Sequence, residues 1–238
     1  MTDKLYITIP AYNEEENIIS VAKEWHEVVK NIGETSKLVI INDGSSDRTG
    51  EVLAQLEEEL PQLIAITKSN SGHGATVLYG YDYALNQGAD YIFQTDSDGQ
   101  TLPKEFYPFW EKRKDYAVII GHRNQREDGI SRVFVTKVLK MVLRLVFREK
   151  IVDANTPFRL MNRQVLEKYI TKVPKNFNLS NVMLMVCFVK YKEKVLFIPI
   201  TFRPRQGGVN SINLKKISKI GIQAIKDFRI INKELDNN

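Results

Sequence analysis

The sequence has little of what builds disulfide frameworks or histidine-rich metal centres. Its 238 residues include a single cysteine, Cys187, and three scattered histidines, His26, His73 and His122. One thiol excludes an internal disulfide framework and any cysteine-rich zinc site, and its apolar surroundings, VMLMVCFV, favour a packed, inert thiol. The scattered histidines argue against a histidine-rich metal site.

Long apolar runs and a secretory signal are also absent. No stretch reaches the roughly 18 uninterrupted apolar residues of a membrane span, and the first residues, MTDKLYITIPAYNEEE, turn acidic after a short strand-like run. These absences predict a cytoplasmic protein without a membrane span. Lys and Arg outnumber Asp and Glu by 34 to 29, and the net charge of +5 suits anionic partners such as nucleotide phosphates, acidic lipid surfaces or nucleic acid.

The first half of the chain alternates between the period of strands and the period of helices. Nearly continuous apolar strands are predicted at KLYITIP, KLVIIND, LIAIT and DYIFQTD. Helices are predicted between them, the first capped by Asn13, with acids in its first turn, and ended by Gly33. This alternation predicts an α/β fold in which helices cover both faces of a mostly parallel central sheet.

Polar residues follow each predicted strand, and such strand ends meet at one edge of a parallel sheet, where ligands bind. The segments are PAYNE, DGSSD, KSNSGHG and DSDGQ in chain order. DGSSD alone is also good turn chemistry, with Asp47 or Ser46 as a helix cap. GHG lacks the third glycine of a dinucleotide fingerprint, because Val77 stands there, and its glycines better suit close backbone approach near phosphate. His73 fits either a ligand contact or a helix cap.

Asp96 and Asp98 stand one residue apart directly after the fourth predicted strand. Close carboxylates repel each other unless a cation or a shared proton lies between them. The segment does not fit an EF-hand loop, because its glycine comes too early and the later acid is missing. Alone, the pair fits a solvated turn as well as a metal site. Its position at the shared edge favours a Mg²⁺ or Mn²⁺ site whose shell substrate phosphates complete.

Several motifs occur in a recognisable order. ITIPAYNEEENI, VIINDGSSDRT, KSNSGHGATVLYGYDYA and FQTDSDGQ resemble the nucleotide-sugar half of inverting family 2 glycosyltransferases, which have the Rossmann-like GT-A fold. DANTPFRLMNRQVL is similar to the acceptor-side aspartate and aromatic–Arg segment of that family. FRPRQGGVNSINLKK is similar to the basic segment that closes the catalytic domain in its polyprenyl-phosphate branch. The resemblance implies a GT-A catalytic domain over residues 1–212, and the pattern of basic and apolar residues predicts a basic amphipathic C-terminal helix over residues 213–238.

The resemblance also implies roles for the residues at the sheet edge. Asp96 and Asp98 are expected to bind the divalent cation that bridges the donor diphosphate, with Asp98 the more direct ligand and a catalytic residue. A metal at this place stabilises charge as the nucleoside diphosphate leaves. Gln100 is expected to face the sugar or the acceptor as a second catalytic residue. The residues expected to bind the nucleotide-sugar donor, with Asp43 on the base or ribose, are Pro10, Ala11, Tyr12, Glu14, Asp43, Ser71 and Gly72.

Arginines outside these loops are expected to bind the phosphates, since guanidinium groups recognise phosphate by bidentate hydrogen bonds. Arg123 ends a predicted fifth strand, and Arg132 begins the helix predicted after it. Arg159, Arg203 and Arg205 lie in the later matching segments, and Arg159 is also a candidate catalytic residue. For each of them a surface ion pair is the alternative.

The absence of an acidic residue at one predicted helix start bears on which acceptor the chain uses. A sugar hydroxyl needs a carboxylate to remove its proton, and sugar-acceptor members of the family carry an acid near the helix start where this chain has Ser180 and Asn181. A phosphate monoester is already anionic, so the missing acid favours a polyprenyl-phosphate acceptor, with Asp153 as the remaining catalytic base. Transfer to a saccharide hydroxyl in glycan assembly is the enzymatic alternative, and a nucleotide-binding, membrane-associated module is the non-enzymatic one. A nucleic-acid binder is disfavoured, because the aromatics follow core periodicity.

Two later segments are relevant to whether the chain spans or contacts a membrane. SRVFVTKVLKMVLRLVF is apolar but is interrupted by Lys137, Lys140 and Arg144, which excludes an ordinary span. NLKKISKIGIQAIKDFRIINK alternates basic and apolar faces, which fits a helix on anionic lipid and equally a helix packed on the sheet. A peripheral enzyme at the cytoplasmic face of the membrane, a membrane-embedded partner and a soluble acceptor all stay open.

Overall fold

A mixed sheet forms the centre of the molecule. The computed structural model describes residues 3–123, 141, 144, 146–147, 155–204 and 228. Within these residues the sheet has seven strands in the order β3-β2-β1-β4-β6-β5-β7. Their bounds are β1 Leu5–Ala11, β2 Lys37–Asn42, β3 Leu63–Thr67, β4 Tyr91–Gln94, β5 Val118–Arg123, β6 Arg159–Asn162 and β7 Val195–Ile200.

Helices cover both faces of this sheet, as the sequence predicts. One core cluster joins α3, α5 and α6 to the sheet, and the other joins α1, α2 and α4 to the opposite face. Alternate residues of β2 divide between the two clusters, with Val39 and Ile41 on one side and Leu38 and Ile40 on the other. The helices are α1 Ile18–Ile32, α2 Thr49–Glu59, α3 His73–Asn86, α4 Tyr107–Glu111, preceded by the 3₁₀ turn Pro103–Phe106, α5 Arg163–Ile170 and α6 Ser180–Lys190.

The sheet is mostly parallel, and among the described strands a single antiparallel one lies near the middle. β1 pairs in parallel with β2 and β4, β2 with β3, and β5 with β7. β6 is antiparallel to both β4 and β5, so it separates the fourth and fifth strands in space. The fifth strand ends at Arg123, as predicted. Asn162 ends β6 and caps α5, because its side chain accepts a hydrogen bond from the Val165 N–H at 2.8 Å.

The prediction for the start of the first helix is wrong. α1 begins at Ile18 after a turn, with Asn17 at the N-cap position and no acid in the first turn. Asn13 lies outside the helix at a φ of 54°, and its side chain accepts a hydrogen bond from the Ser46 N–H instead of capping α1. Asn13, which the local sequence assigns to the cap of α1, therefore bonds to the loop after β2 instead. Gly33 ends α1, as predicted.

The C-terminal segment is described at a single position. Phe228 is fully buried and packs edge to face on Phe147 and Phe177, with ring centroids 5.6 Å apart in both pairs. The division at residues 212 and 213, and the choice between a lipid-bound and a packed helix, stay predictions. Among the described residues no helix is both long and apolar enough to cross a membrane.

Candidate active site

The carboxyl ends of β1 to β4 meet at one edge of the sheet. The last residue of β1, Ala11, lies opposite Asn42, and Asn42 lies opposite Thr67 of β3. The strand ends continue into the loops by backbone hydrogen bonds, such as the 2.8 Å bond from the Asp43 N–H to the Ala11 carbonyl. The four polar segments that the sequence places after these strands are therefore neighbours. Pro10 and Ala11 themselves are buried in β1.

Asp43 is the anchor of the loop after β3. The residue is 3% exposed, and its carboxylate accepts hydrogen bonds from the Ser71 N–H at 2.9 Å and the Gly72 N–H at 3.0 Å. The Lys68 ammonium forms an ion pair with the same carboxylate. The Asn70 side chain donates to the Asp43 carbonyl at 2.9 Å. The carboxylate thus fixes the loop on which Ser71 and Gly72 lie.

The charge of Asp43 is stabilised by these donors. Burial alone raises the pKa of its carboxyl group, but the hydrogen bonds from Lys68 and the Ser71 N–H outweigh burial and hold the pKa below its ordinary value. The loop after β2 also lies close to the loop after β3. A Cβ atom on Gly44, whose φ is 65°, would lie only 2.8 Å from the backbone nitrogen of Asn70. Asp43 is therefore a buried anion near neutral pH.

The loops after β1 and β2 are bonded to each other. The Asn13 N–H donates to the Ser45 hydroxyl at 2.9 Å, and the Ser46 N–H donates to the Asn13 side chain at 2.8 Å. The Glu15 N–H donates to the Asp47 carboxylate at 3.2 Å. Asp47 also accepts from the Thr49 N–H at 3.0 Å at the start of α2, where Arg48, and neither Asp47 nor Ser46, occupies the N-cap position. These two loops form a single wall.

Within this wall the two predicted ligand contacts differ in exposure. Tyr12 is 47% exposed, which leaves its ring accessible to a planar ligand. Glu14 is buried, and its carboxylate accepts a hydrogen bond from the Asn17 amide at 2.7 Å. The Glu14 N–H donates to the Thr49 hydroxyl at 2.9 Å. Glu14 therefore supports the loop, and its predicted contact with the donor stays a prediction.

Asp96 and Asp98 lie in the turn after β4 and retain exposed surface. The side chain of Asp96 is 31% exposed, and its Oδ1 accepts a hydrogen bond from Gln94 Nε2 at 3.3 Å. His73 Nε2 lies 3.9 Å from the same oxygen. Asp98 is half-buried, and its Oδ1 accepts from the Gln100 N–H at 3.1 Å.

This donor set fits a hard divalent cation. Two carboxylates with accessible surface supply the oxygen ligands that Mg²⁺ and Mn²⁺ prefer. No group of three or more acidic, histidine or cysteine side chains that could hold a metal occurs in the described part of the chain. A cation bound by Asp96 and Asp98 would therefore take further ligands from substrate oxygens and water.

Arg203 is hydrogen-bonded to the turn that carries Asp96 and Asp98. The Arg203 N–H donates to the Gln100 carbonyl at 2.9 Å, and Gln100 Nε2 donates to the Arg203 carbonyl at 3.2 Å. The guanidinium of Arg203 donates to the Gly99 carbonyl and to Glu24 of α1, the latter at 3.0 Å. Glu24 was not predicted to belong to this region. The predicted phosphate contact of Arg203 and the substrate contact of Gln100 stay predictions.

Arg159 lies beneath the edge with no exposed surface. Its Nε and Nη2 donate to the Thr156 carbonyl at 3.1 and 2.7 Å, and its Nη1 donates to the Asn181 carbonyl at 3.0 Å. These bonds join the start of β6 to the start of α6. A buried guanidinium that bonds backbone carbonyls is a structural element here, and its predicted catalytic role stays a prediction.

The remaining predicted site residues fall where the structure describes no side chain. Asp153, Arg132 and Arg205 lie outside the described residues, as does the side chain of Arg123 at the end of β5. The structure adds Lys68, Gln94 and Tyr81 to the region, none of which was predicted as a site residue. A polar Gln94 at the end of the apolar run DYIFQ is the signal in the sequence that marks one of them.

Solved structures share this fold. Glucosyl-3-phosphoglycerate synthase from Mycobacterium tuberculosis, in complex with Mn²⁺, uridine diphosphate and phosphoglyceric acid, superposes with a TM-score of 0.70 over 97% of this chain and 78% of that chain, at 14% identity. The complex of the same enzyme with phosphoglyceric acid gives a TM-score of 0.69 at 15% identity. At such identities the likeness concerns the fold alone, and it confirms the predicted GT-A architecture.

Several proteins are similar to this chain in sequence. Polyprenol monophosphomannose synthase of Mycolicibacterium smegmatis is 26% identical over 221 residues, which are 89% of this chain and 82% of that protein. The undecaprenyl-phosphate 4-deoxy-4-formamido-L-arabinose transferase of Pectobacterium carotovorum is 22% identical over 89% of this chain and 63% of its own length. The uncharacterized glycosyltransferase YkcC of Bacillus subtilis is 30% identical over 93% of this chain and 67% of its own length.

The family assignment follows from a match that spans most of the described fold. Residues 6–170 match the family described as Glycosyl transferase family 2, a range that includes all four loops of the sheet edge and both aspartates of the turn after β4. This chain therefore belongs to glycosyl transferase family 2.

Proposed function

We propose that this chain transfers a sugar, with inversion, from a nucleoside-diphosphate sugar to a polyprenyl phosphate, with Mg²⁺ or Mn²⁺ bound by Asp96 and Asp98. Two similar proteins are named for polyprenyl-linked sugar chemistry, the polyprenol monophosphomannose synthase and the undecaprenyl-phosphate arabinose-derivative transferase. The wall formed by the loops after β1 and β2 offers a preformed surface for the nucleoside, and the exposed ring of Tyr12 lies on it.

The observation that carries the choice of acceptor is the start of α6. Ser180 and Asn181 occupy this position, both are buried, and the Asn181 amide is bonded to neighbouring side chains. No carboxylate stands there to deprotonate a sugar hydroxyl. A phosphate monoester is anionic near neutral pH and attacks without a strong base, so the acid-free helix start favours a lipid phosphate.

Different residues of this chain have different roles in the proposed transfer. Tyr12 and the loop anchored by Asp43 bind and orient the nucleoside. Asp96 and Asp98 hold the divalent cation, which supplies charge stabilisation for the departing diphosphate. Gln100 faces the reacting sugar, and its two bonds to Arg203 keep it in place. The acceptor phosphate attacks the anomeric carbon from the face opposite the diphosphate, which inverts the configuration.

A donor screen tests this function. The full chain is supplied with a polyprenyl phosphate in detergent, MnCl₂ or MgCl₂, and a panel of nucleoside-diphosphate sugars, and the release of nucleoside diphosphate is measured. Metal-dependent turnover with the lipid phosphate is the expected result, and product stereochemistry by NMR reports the inversion. Turnover with free saccharides alone would favour the saccharide alternative and overturn the lipid acceptor.

Association with a membrane surface is part of the same proposal. The basic stretch expected to contact lipid lies outside the described residues, apart from the buried Phe228. We expect the chain to float with vesicles that contain anionic lipid and to remain unbound with purely zwitterionic vesicles. Equal behaviour with both vesicle types would contradict a surface held by charge.

A further inference from the structure

A buried chain of hydrogen bonds leads from α6 to the first aspartate of the turn after β4. Asn181 Nδ2 donates to Gln94 Oε1 at 2.9 Å, and Gln94 Nε2 donates to Asp96 Oδ1 at 3.3 Å. The Tyr81 hydroxyl lies 3.0 Å from Gln94 Oε1 and 3.1 Å from Asn181 Oδ1. Gln94 and Tyr81 have no exposed surface, and Asn181 is 4% exposed.

The direction of this chain follows from the chemistry of its ends. A carboxylate oxygen accepts hydrogen bonds, so the Gln94 carboxamide presents its N–H to Asp96 Oδ1. Gln94 Oε1 then accepts from Asn181 Nδ2 on the opposite side, and the single proton of the Tyr81 hydroxyl is shared between Gln94 Oε1 and Asn181 Oδ1. Burial raises the pKa of Tyr81 far above its ordinary value, so its hydroxyl stays protonated at neutral pH. Each donor that Gln94 Oε1 accepts strengthens the donor it offers to Asp96.

The chain fixes one oxygen of Asp96. In the described part of the structure both of its side-chain contacts, from Gln94 and from His73, fall on Oδ1. Oδ2 is left for another partner. A carboxylate held through one oxygen by a rigid, buried donor presents the other oxygen in a fixed direction, as outer ligands do around metal sites.

The far end of the chain is equally well anchored. Asn181 stands at the second position of α6, and its carbonyl accepts a hydrogen bond from Arg159 Nη1 at 3.0 Å. Arg159 lies opposite Gln94 in the pairing of β6 with β4. The orientation of Asp96 therefore depends on the packing of α6 against these two strands.

We propose that Gln94 and Asn181 are positioning residues that orient Asp96 for its divalent cation and couple the cation site to the start of α6. This inference rests on the proposed binding of a divalent cation by Asp96 and Asp98. It also gives a role to two amides that are buried and hydrogen-bonded in the core. Neither residue touches the substrate in this role, and both act through Asp96.

Two substitutions test the chain by different means. Gln94→Met keeps the volume of the side chain and removes the donor to Asp96. Asn181→Asp replaces the donor to Gln94 Oε1 by an acceptor, which favours the reversed carboxamide of Gln94 and turns its oxygen toward Asp96. Binding of Mn²⁺ in the presence of uridine diphosphate is measured by the loss of the free Mn²⁺ signal in electron paramagnetic resonance. We expect roughly 10-fold weaker Mn²⁺ binding in each variant.

A matched control separates positioning from stability. Gln62→Met removes another amide, whose Nε2 donates to the Gly33 and Ser36 carbonyls at 2.9 and 2.8 Å near the opposite edge of the sheet. This variant is expected to lower the melting temperature and leave Mn²⁺ binding unchanged. In turnover assays, Gln94→Met and Asn181→Asp should raise the Mn²⁺ concentration for half-maximal rate, while kcat recovers at saturating Mn²⁺.

The outcomes distinguish this inference from the proposed function. If the wild type binds Mn²⁺, Asp98→Ala does not, and both Gln94→Met and Asn181→Asp bind as the wild type does, the positioning role is overturned and the cation site stands. If the wild type itself binds no Mn²⁺ with uridine diphosphate, the proposed cation site fails and the inference with it. Should Gln94→Met not fold, Asn181→Asp decides, supported by a smaller loss of affinity in Tyr81→Phe.

Discussion

The loops on the two sides of the sheet edge use their acidic residues in opposite ways. On the side of β2 and β3, Asp43 is buried and its oxygens are bonded to a lysine and two backbone N–H groups. On the side of β4, Asp96 and Asp98 keep accessible surface in a short turn. Asp43 therefore has a structural role, whereas Asp96 and Asp98 are the acids that we propose as ligands of the cation.

The loops after β1 and β2 and the turn after β4 are also held in place by different kinds of contact. The wall is made rigid by reciprocal bonds between loops, such as those that join Asn13 to Ser45 and Ser46. The turn after β4 is instead held by two hydrogen bonds from outside it. Gln94 of β4 donates to Asp96, and Arg203 donates to the Gly99 carbonyl.

Removal of Asp98 is expected to have the largest effect on turnover. Asp98→Ala deletes a carboxylate from the cation site, and the loss of several kcal/mol of charge stabilisation lowers the rate by roughly 100-fold or more. Because the side chain is half-buried at the turn, the melting temperature should change little. Turnover is compared with that of Asp115→Ala, an exposed aspartate in the loop before β5. Full metal-dependent turnover of Asp98→Ala would show that Asp98 is not a metal ligand.

Removal of Asp43 is expected to act on stability first. Asp43→Ala leaves the ammonium of Lys68 without its buried partner, and breaking such a pair costs about 3 kcal/mol. The free energy of unfolding in urea measures this loss, with Asp98→Ala as the comparison variant. If the two variants were equally stable, the contrast between a structural and a functional acid would be wrong.

The contribution of Asp43 is also expected to depend on pH. Its folded-state pKa lies below the ordinary value of an aspartate, so its stabilisation is present above the unfolded value of about 3.9 and is lost as the pH falls through the folded-state pKa. The stability difference between the wild type and Asp43→Asn should be constant from pH 7 to pH 5 and should shrink below about pH 4. A difference that grows in acid would reverse the sign of this linkage.

The sequence predicts the fold well because the fold depends on local periodicity. Apolar strands and amphipathic helices are visible in the order of the residues, and the shared edge follows from parallel pairing. The antiparallel insertion of β6 between β4 and β5 was not predicted, because pairing over such separations leaves no mark on local pattern. Asn13 was assigned to a helix cap for the same reason, since its partner, Ser46, lies in another loop.

The site is predicted less completely than the fold. The acids of the turn after β4 stand out in the sequence because two charges follow a buried strand. The state of Asp43 does not, since only the structure shows that Lys68, Ser71 and Gly72 converge on it. Gln94 and Asn181 are separated by 87 positions, and their contact arises from the packing of α6 against the end of β4.

The smallest expected effect separates two roles of Arg203. Its guanidinium binds Glu24 in a partly exposed ion pair, which contributes at most about 1 kcal/mol. Glu24→Gln weakens this pair alone, whereas Arg203→Met also removes the donor to the Gly99 carbonyl and any contact with a substrate phosphate. If Arg203 binds phosphate, Arg203→Met should raise the KM for the phosphate-bearing substrate it contacts roughly 10-fold, the ratio that 1.4 kcal/mol produces. Glu24→Gln should leave both the donor and the acceptor KM unchanged. Equal, small changes in the two variants would assign Arg203 to the support of the turn, the same task that Gln94 has on the other side.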